Sequence, residues 1–123
     1  MIEIRITIDT ALTLLVERMK FELELRQKRN LIKPGYKLEN LSYKELMKIV
    51  EVSIFDTVFL LPVELINSET NLIQIVTKTV HALAKALNRE EFILYTQQQA
   101  QKLIQPIYIY IQQALKDKTF TYN

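Results

Sequence analysis

The 123-residue chain contains no cysteine, no tryptophan, one glycine, one histidine and three prolines. Without cysteine there are no disulfide staples, no thiolate metal sites and no thiol nucleophile. A single glycine, Gly35, excludes a glycine-rich phosphate loop and a dinucleotide fingerprint. A single histidine, His81, excludes a multi-histidine metal cluster within one chain. No Glu-x-x-His or His-x-x-x-His spacing occurs, so the ligand set of a di-iron bundle is missing. The longest nearly apolar stretch, Val58 to Val63, is far short of the roughly 20 residues that span a bilayer. The expectation is a protein with no cofactor, no metal and no catalytic constellation. The opening Met1-Ile2-Glu3-Ile4-Arg5 has no basic region followed by an apolar run, so no signal peptide is expected and the expected location is cytoplasmic.

What is present is nearly balanced charge and abundant apolar surface. Lysine and arginine number 16 against 14 aspartates and glutamates, a net charge of +2, so no global attraction to nucleic acid follows. The distribution is less even. Arg26, Lys28, Arg29, Lys33, Lys37, Lys44 and Lys48 face only Glu39 and Glu45 between residues 26 and 48. These seven, with Arg5, are the candidate nucleic-acid contacts; the alternative is a solvated helix end and loop.

The periodicity predicts a mainly α fold. Its expected form is about four helices in a bundle-like single domain, residues 1–123, with a short N-terminal β-strand. Ile2, Ile4, Ile6 and Ile8 alternate with Glu3, Arg5, Thr7 and Asp9, a period of two in β-branched residues. Such a strand needs a partner for its backbone. Either Lys118 to Tyr122 at the far end or the same strand of a second subunit would serve. Asp9 or Thr10 caps a first helix over about Ala11–Lys28, with Leu12, Leu15, Met19 and Leu23 inward. Pro34-Gly35 marks a turn in the connector Asn30–Leu41. Ser42-Tyr43-Lys44-Glu45 reads as a capping box opening a second helix to about Leu61. A β reading of Val52 to Leu61 is the alternative for its apolar second half. After a short piece, Val63 to Ile66, Ser68 or Thr70 caps a third helix to Leu87. Asn88-Arg89-Glu90-Glu91 reads as the start of a fourth, Arg89 to Lys116, with Pro106 kinking or splitting it near Gln105. Within it Ala100, Ile104, Ile107, Ile111 and Ala114 step by four, three, four and three.

Two polar residues invite a chemical reading. His81 shares a helix side with Lys78 and Lys85 but has no carboxylate three or four residues away to orient its ring. It reads as an exposed histidine or as part of a basic stripe with Arg89. Asp56 sits among Phe55, Val58 and Phe59. It needs a tyrosine hydroxyl, a charge across a subunit interface, or water at the helix edge. Phe55, Phe59, Tyr95, Tyr108 and Tyr110 are the candidate interface residues, because tyrosine and surplus apolar helix faces suit protein contacts.

The run Glu3-Ile4-Arg5-Ile6-Thr7-Ile8-Asp9 before a helix, with Ser42-Tyr43-Lys44-Glu45 opening a second, resembles a ribbon-helix-helix DNA-binding protein. That resemblance implies N-terminal strands paired across a dimer and laid in the major groove, with Glu3, Arg5 and Thr7 toward DNA. The chain departs from the family in its acidic Glu3, its longer first helix and its connector Asn30–Leu41 in place of a tight turn. Two functional expectations follow: first, a non-enzymatic, oligomeric protein-interaction or regulatory subunit; second, a nucleic-acid-binding protein using this N-terminal half and the basic segment 26–48.

Overall fold

The computed structural model describes residues 4–116 and, of their side chains, those of 7–116. Five α-helices and two 3-10 turns make up this part: α1 (Ile4–Lys28), a first 3-10 turn (Leu38–Asn40), α2 (Tyr43–Val58), α3 (Val63–Ile66), α4 (Glu69–Ala86), a second 3-10 turn (Glu90–Leu94) and α5 (Gln97–Lys116).

The expected N-terminal strand is overturned. Residues 4–8 form the first turns of α1, and no strand occurs among the described residues. The physical reason lies downstream of the isoleucines. Thr7, Ala11, Leu15, Met19 and Leu23 are buried and step by four, so the buried stripe of the helix continues past the expected cap into the β-like run. Extending an existing helix satisfies backbone donors and acceptors internally, whereas a strand there needs a partner. Asp9 and Thr10 are therefore interior positions, and the Thr13 hydroxyl donates to the Asp9 carbonyl at 3.0 Å. The ribbon implied by the resemblance is lost with the strand: Arg5 and Thr7 belong to a helix. The tail strand Lys118–Tyr122 lies outside the described residues.

The chain owns one glycine, so asparagine takes over two helix ends. Asn30 and Asn88 adopt φ of 60° and 54°. After α1, Asn30 N donates to Gln27 O at 3.1 Å and Leu31 N to Arg26 O at 2.8 Å. After α4, Asn88 N donates to Lys85 O at 3.4 Å and Arg89 N to Ala84 O at 2.9 Å. Both are Schellman endings with asparagine in the left-handed position. Asn88 thus stops α4; it does not cap a following helix. Asn30→Ala and Asn88→Ala are each expected to destabilise the fold by about 1 kcal/mol, because Cβ is unfavourable at positive φ and alanine lacks the local hydrogen bonding of asparagine. The glycine variants are expected to unfold at or above the wild-type urea midpoint. A glycine variant as destabilised as the alanine one contradicts this reading.

The capping box of α2 forms as the sequence suggests. Glu45 N donates to Ser42 Oγ at 3.2 Å and Ser42 N to Glu45 Oε1 at 3.3 Å. The helix stops at Val58, short of Leu61, and Val52 to Val58 is helical, which excludes the β reading. Ser68 caps α4 through Asn71 N at 3.2 Å. The expected fourth helix divides at Tyr95-Thr96. Pro106 sits inside an unbroken α5, where it and Lys102, whose carbonyl it leaves without a donor, are both exposed. The cap of α5 is a second box: Gln99 N donates to Thr96 Oγ1 at 3.1 Å and Thr96 N to Gln99 Oε1 at 2.9 Å.

The core lies among α1, α2, α4 and α5. Ala11 and Leu15 of α1 share an apolar void of about 20 Å³ with Ile54, Thr57, Val58 and Leu61 near the end of α2 and Ile75, Val76 and Thr79 of α4. This makes α1 and α2 antiparallel and places the middle of α4 beside the first half of α1. The second 3-10 turn runs back along α4, and the Phe92 ring packs tilted against the Tyr43 ring of α2, with centroids 5.7 Å apart. Helix α5 then crosses α4, burying Ala100, Ile104, Ile107, Ile111 and Ala114. No described helix is long and apolar enough to cross a membrane.

Candidate interaction face on α1, α2 and α5

A continuous strip of half-exposed side chains crosses three helices. On α2, 100° per residue puts Lys44, Lys48, Val52, Phe55 and Phe59 on one side, while Leu46, Ile49, Val50, Ser53, Ile54, Thr57 and Val58 fill the other. Val52 and Phe55 remain 44% and 43% exposed. Phe55 meets Phe59 at a centroid distance of 5.2 Å. Both reach Tyr110 of α5, at 6.3 Å and 5.8 Å, the latter edge to face. Tyr110 itself is 54% exposed. Three further large apolar residues are also exposed: Leu60 in the turn after α2, Val63 at the start of α3 and Ile109 on α5.

On the α1 side the strip becomes polar. Asp56 accepts from Arg18 at 2.7 Å, an ion pair with both side chains more than a third exposed. Asp56 therefore finds its charge within the chain, from α1. The Arg18 guanidinium also lies 4.9 Å from the centre of the Phe21 ring, and Phe21 is 47% exposed. The order along the strip is Phe21, Arg18, Asp56, then Val52 and Phe55, then Phe59 and Tyr110. Sequence reasoning marked Phe55, Phe59 and Tyr110 but missed Phe21 and Val52. The spacing of Val52 with Phe55 and Phe59 on α2 was the available signal.

Tyr95 and Tyr108 lie elsewhere. Tyr95 is 3% exposed, and its backbone carbonyl accepts from His81 Nε2 at 2.6 Å. His81 is thus half-buried and pins the second 3-10 turn to α4, with Nε2 carrying the hydrogen. The Tyr108 hydroxyl donates to Asn67 O at 3.1 Å, tying α5 to the start of α4. Burial, with smaller contributions from Glu51 and Tyr43 nearby, pushes the Tyr95 hydroxyl up to about 12. Its ordinary value is 10.0, so the folded state holds this proton more tightly than the unfolded chain does. The associated stability is complete below about pH 10 and is lost as pH rises toward about 12. Urea midpoints of Tyr95→Phe are expected to fall less over that window than those of the wild type. Parallel curves contradict the burial of this hydroxyl.

The basic candidates are spread over the end of α1, the connector and the start of α2. Arg26 is bound to Glu22 at 3.0 Å. Lys28, Arg29, Lys33, Lys37, Lys44 and Lys48 are exposed, and none forms an ion pair among the described residues. Arg5 lies in the first turn of α1, at the opposite end of that helix from Arg26, Lys28 and Arg29. Arg89, grouped by sequence with His81, is a structural tie. It donates to Leu41 O at 2.7 Å and to both carboxylate oxygens of Glu91 at 3.2 Å and 3.0 Å. That guanidinium also holds the Glu91 carboxyl below the usual carboxylate range.

An open cleft of about 510 Å³ separates α1 from the connector and the end of α4. Lys20, Glu24, Lys37 and Glu39 line it above Val16, Leu23, Leu38 and Leu87. Gln27 fixes one wall by donating to Lys33 O and Tyr36 O, each at 3.0 Å. The cleft carries both charge signs and no histidine. Among the described residues no cluster of three or more acids or histidines is placed to hold a metal ion. Comparison with protein families, characterised proteins and solved structures finds no match to this chain.

Proposed function

We propose that this protein is a non-enzymatic interaction or regulatory subunit that works as part of an oligomer, through the strip running from Phe21 to Tyr110. The observation that carries the reading is the ring cluster of Phe55, Phe59 and Tyr110, which joins two helices and still leaves Phe55 and Tyr110 about half exposed. Contiguous apolar surface rimmed by charge marks contact sites more often than solvent-facing surface. A photoreactive residue at Val52 is expected to form an adduct in the source cell, and the added substitution Tyr110→Asp is expected to abolish it. The same probe at Lys78, exposed on α4, is expected to form none. Absence of a Tyr110-dependent adduct at Val52 overturns the reading.

The second reading, nucleic-acid binding by the basic segment, draws support from Lys28, Arg29, Lys33 and Lys37, exposed and outside any ion pair among the described residues. Binding to a mixed pool of short DNA and RNA would weaken with salt by roughly one log unit per log unit for each phosphate contact. No binding at low salt removes it.

A further inference from the structure

We infer that the cleft between α1 and the connector binds a zwitterionic apolar dipeptide, at a site that shares no residue with the strip from Phe21 to Tyr110. The connector, residues 29–42, is long for a link between packed helices, and long ordered loops in compact domains commonly carry a binding role. Its backbone is tied on both sides of the cleft. Gln27 of α1 donates to the carbonyls of Lys33 and Tyr36, and Arg89 donates to those of Glu39 at 3.5 Å and Leu41 at 2.7 Å. Between these ties Lys37 N donates to Asn40 Oδ1 at 2.9 Å, and Leu38 is buried. The walls are therefore set before a ligand arrives, which lowers the ordering cost of binding. The volume of about 510 Å³ falls within the range of small-molecule sites.

The chemistry of the lining selects the ligand. Val16, Leu23, Leu38 and Leu87 offer an apolar floor. Each wall adds one charge of each sign, Lys20 and Glu24 on α1 and Lys37 and Glu39 on the connector. All four are exposed, and none belongs to an ion pair among the described residues. Lys20 precedes Glu24 at i,i+4, the weaker order for pairing along a helix. Of the charges nearby, Arg89 is bound to Glu91, and Glu17, Lys28 and Lys85 lie outside the lining. A ligand with a single charge meets one attractive and one repulsive group on each wall, and a neutral one leaves all four unused. A zwitterion with apolar side chains suits the walls and the floor together. Spacing sets its length. Lys20 and Glu24 are about 6 Å apart along the helix axis. The ends of an extended dipeptide are about 5–7 Å apart. A single amino acid, with both charges on one α-carbon, falls short of that separation.

The probe is Leu-Leu with both termini free, titrated into the full chain and followed by amide chemical shifts. Saturable shifts are expected over residues 20–27 and 36–39 and at Leu87, half-complete at about 1 mM, with Phe55 and Tyr110 unmoved. N-acetyl-Leu-Leu-amide keeps the apolar side chains and loses both charges, and is expected to bind at least about 5-fold more weakly. Double substitution separates the two ends of the ligand. Glu24→Gln with Glu39→Gln is expected to remove the cost of acetylating the amine, and Lys20→Gln with Lys37→Gln the cost of amidating the carboxylate. The four side chains are exposed and outside the core, so urea midpoints are expected to stay unchanged. No saturation by about 20 mM Leu-Leu, or a doubly blocked peptide that binds as tightly as the free one, overturns the inference. So do shifts centred outside the cleft, or an acetylation cost that persists in the variant lacking both glutamates.

Discussion

Phe92→Ala is expected to destabilise the protein by about 3–5 kcal/mol, the cost of emptying a fully enclosed aromatic site. Phe92 is 0% exposed although it belongs to a five-residue 3-10 turn, not to one of the longer helices. Its ring lies against Tyr43 at the start of α2 while its backbone runs along α4, so one side chain closes the gap between two helices that are distant in sequence. Within the turn itself Phe92 is the one buried side chain; the other anchors, Arg89 and Tyr95, flank it. Ile93 and Leu94, the next two residues, are 60% and 78% exposed. Ile93→Ala and Leu94→Ala are therefore expected to change stability by less than about 0.5 kcal/mol. Urea denaturation followed by circular dichroism compares the three directly. A loss below about 1 kcal/mol for Phe92→Ala contradicts the placement of the turn over the core.

Arg89→Leu is expected to cost about 2 kcal/mol, from a different cause. Arg89 reaches from the end of α4 to the carbonyl of Leu41, a buried residue just before α2. Its side chain is only 14% exposed, so water replaces the lost donor poorly. Removing the guanidinium leaves the Leu41 carbonyl short of a partner, and an unsatisfied buried acceptor costs more than the net value of the bond it lost. Arg89→Lys keeps the charge but not the fork that serves Leu41 and Glu91 together, so it is expected to recover only part of the loss. Glu91→Gln is expected to matter far less, since Glu91 is exposed. The Glu91 carboxyl supplies a second readout. With Arg89 gone its titration is expected to move up toward the ordinary carboxylate range. An unmoved Glu91 titration in Arg89→Leu, with full stability, contradicts the tie.

Much of the helical pattern was legible because it depends on local chemistry. The Ser42–Glu45 box, the Ser68 cap and the four-three-four-three burial of α5 are all written within a few residues of where they act. The failures occurred where a local signal met a longer-range one. Ile2 to Ile8 carries strand periodicity, but the buried row from Thr7 through Leu23 extends the helix into it. Asn88 has the chemistry of an N-cap and also tolerates positive φ, and the ending of α4 takes it. The Thr96–Gln99 box was present in the sequence but hidden among consecutive glutamines. At the candidate face, the rings on α2 were visible as surplus apolar positions. Their union with Tyr110, and the pairing of Asp56 with Arg18 on α1, depend on how α1 and α5 pack beside α2, which spacing along the chain does not encode.

The most direct test of the interaction face is a dilution series followed by amide chemical shifts of the full chain. The expected result is concentration-dependent shifts confined to α2 from Lys44 to Phe59, to Arg18 and Phe21, and to Tyr110 and its neighbours, with Lys78 and Lys85 on α4 unmoved. Shifts centred on α4 or on the connector, or none at the highest concentration, would contradict self-association through this face.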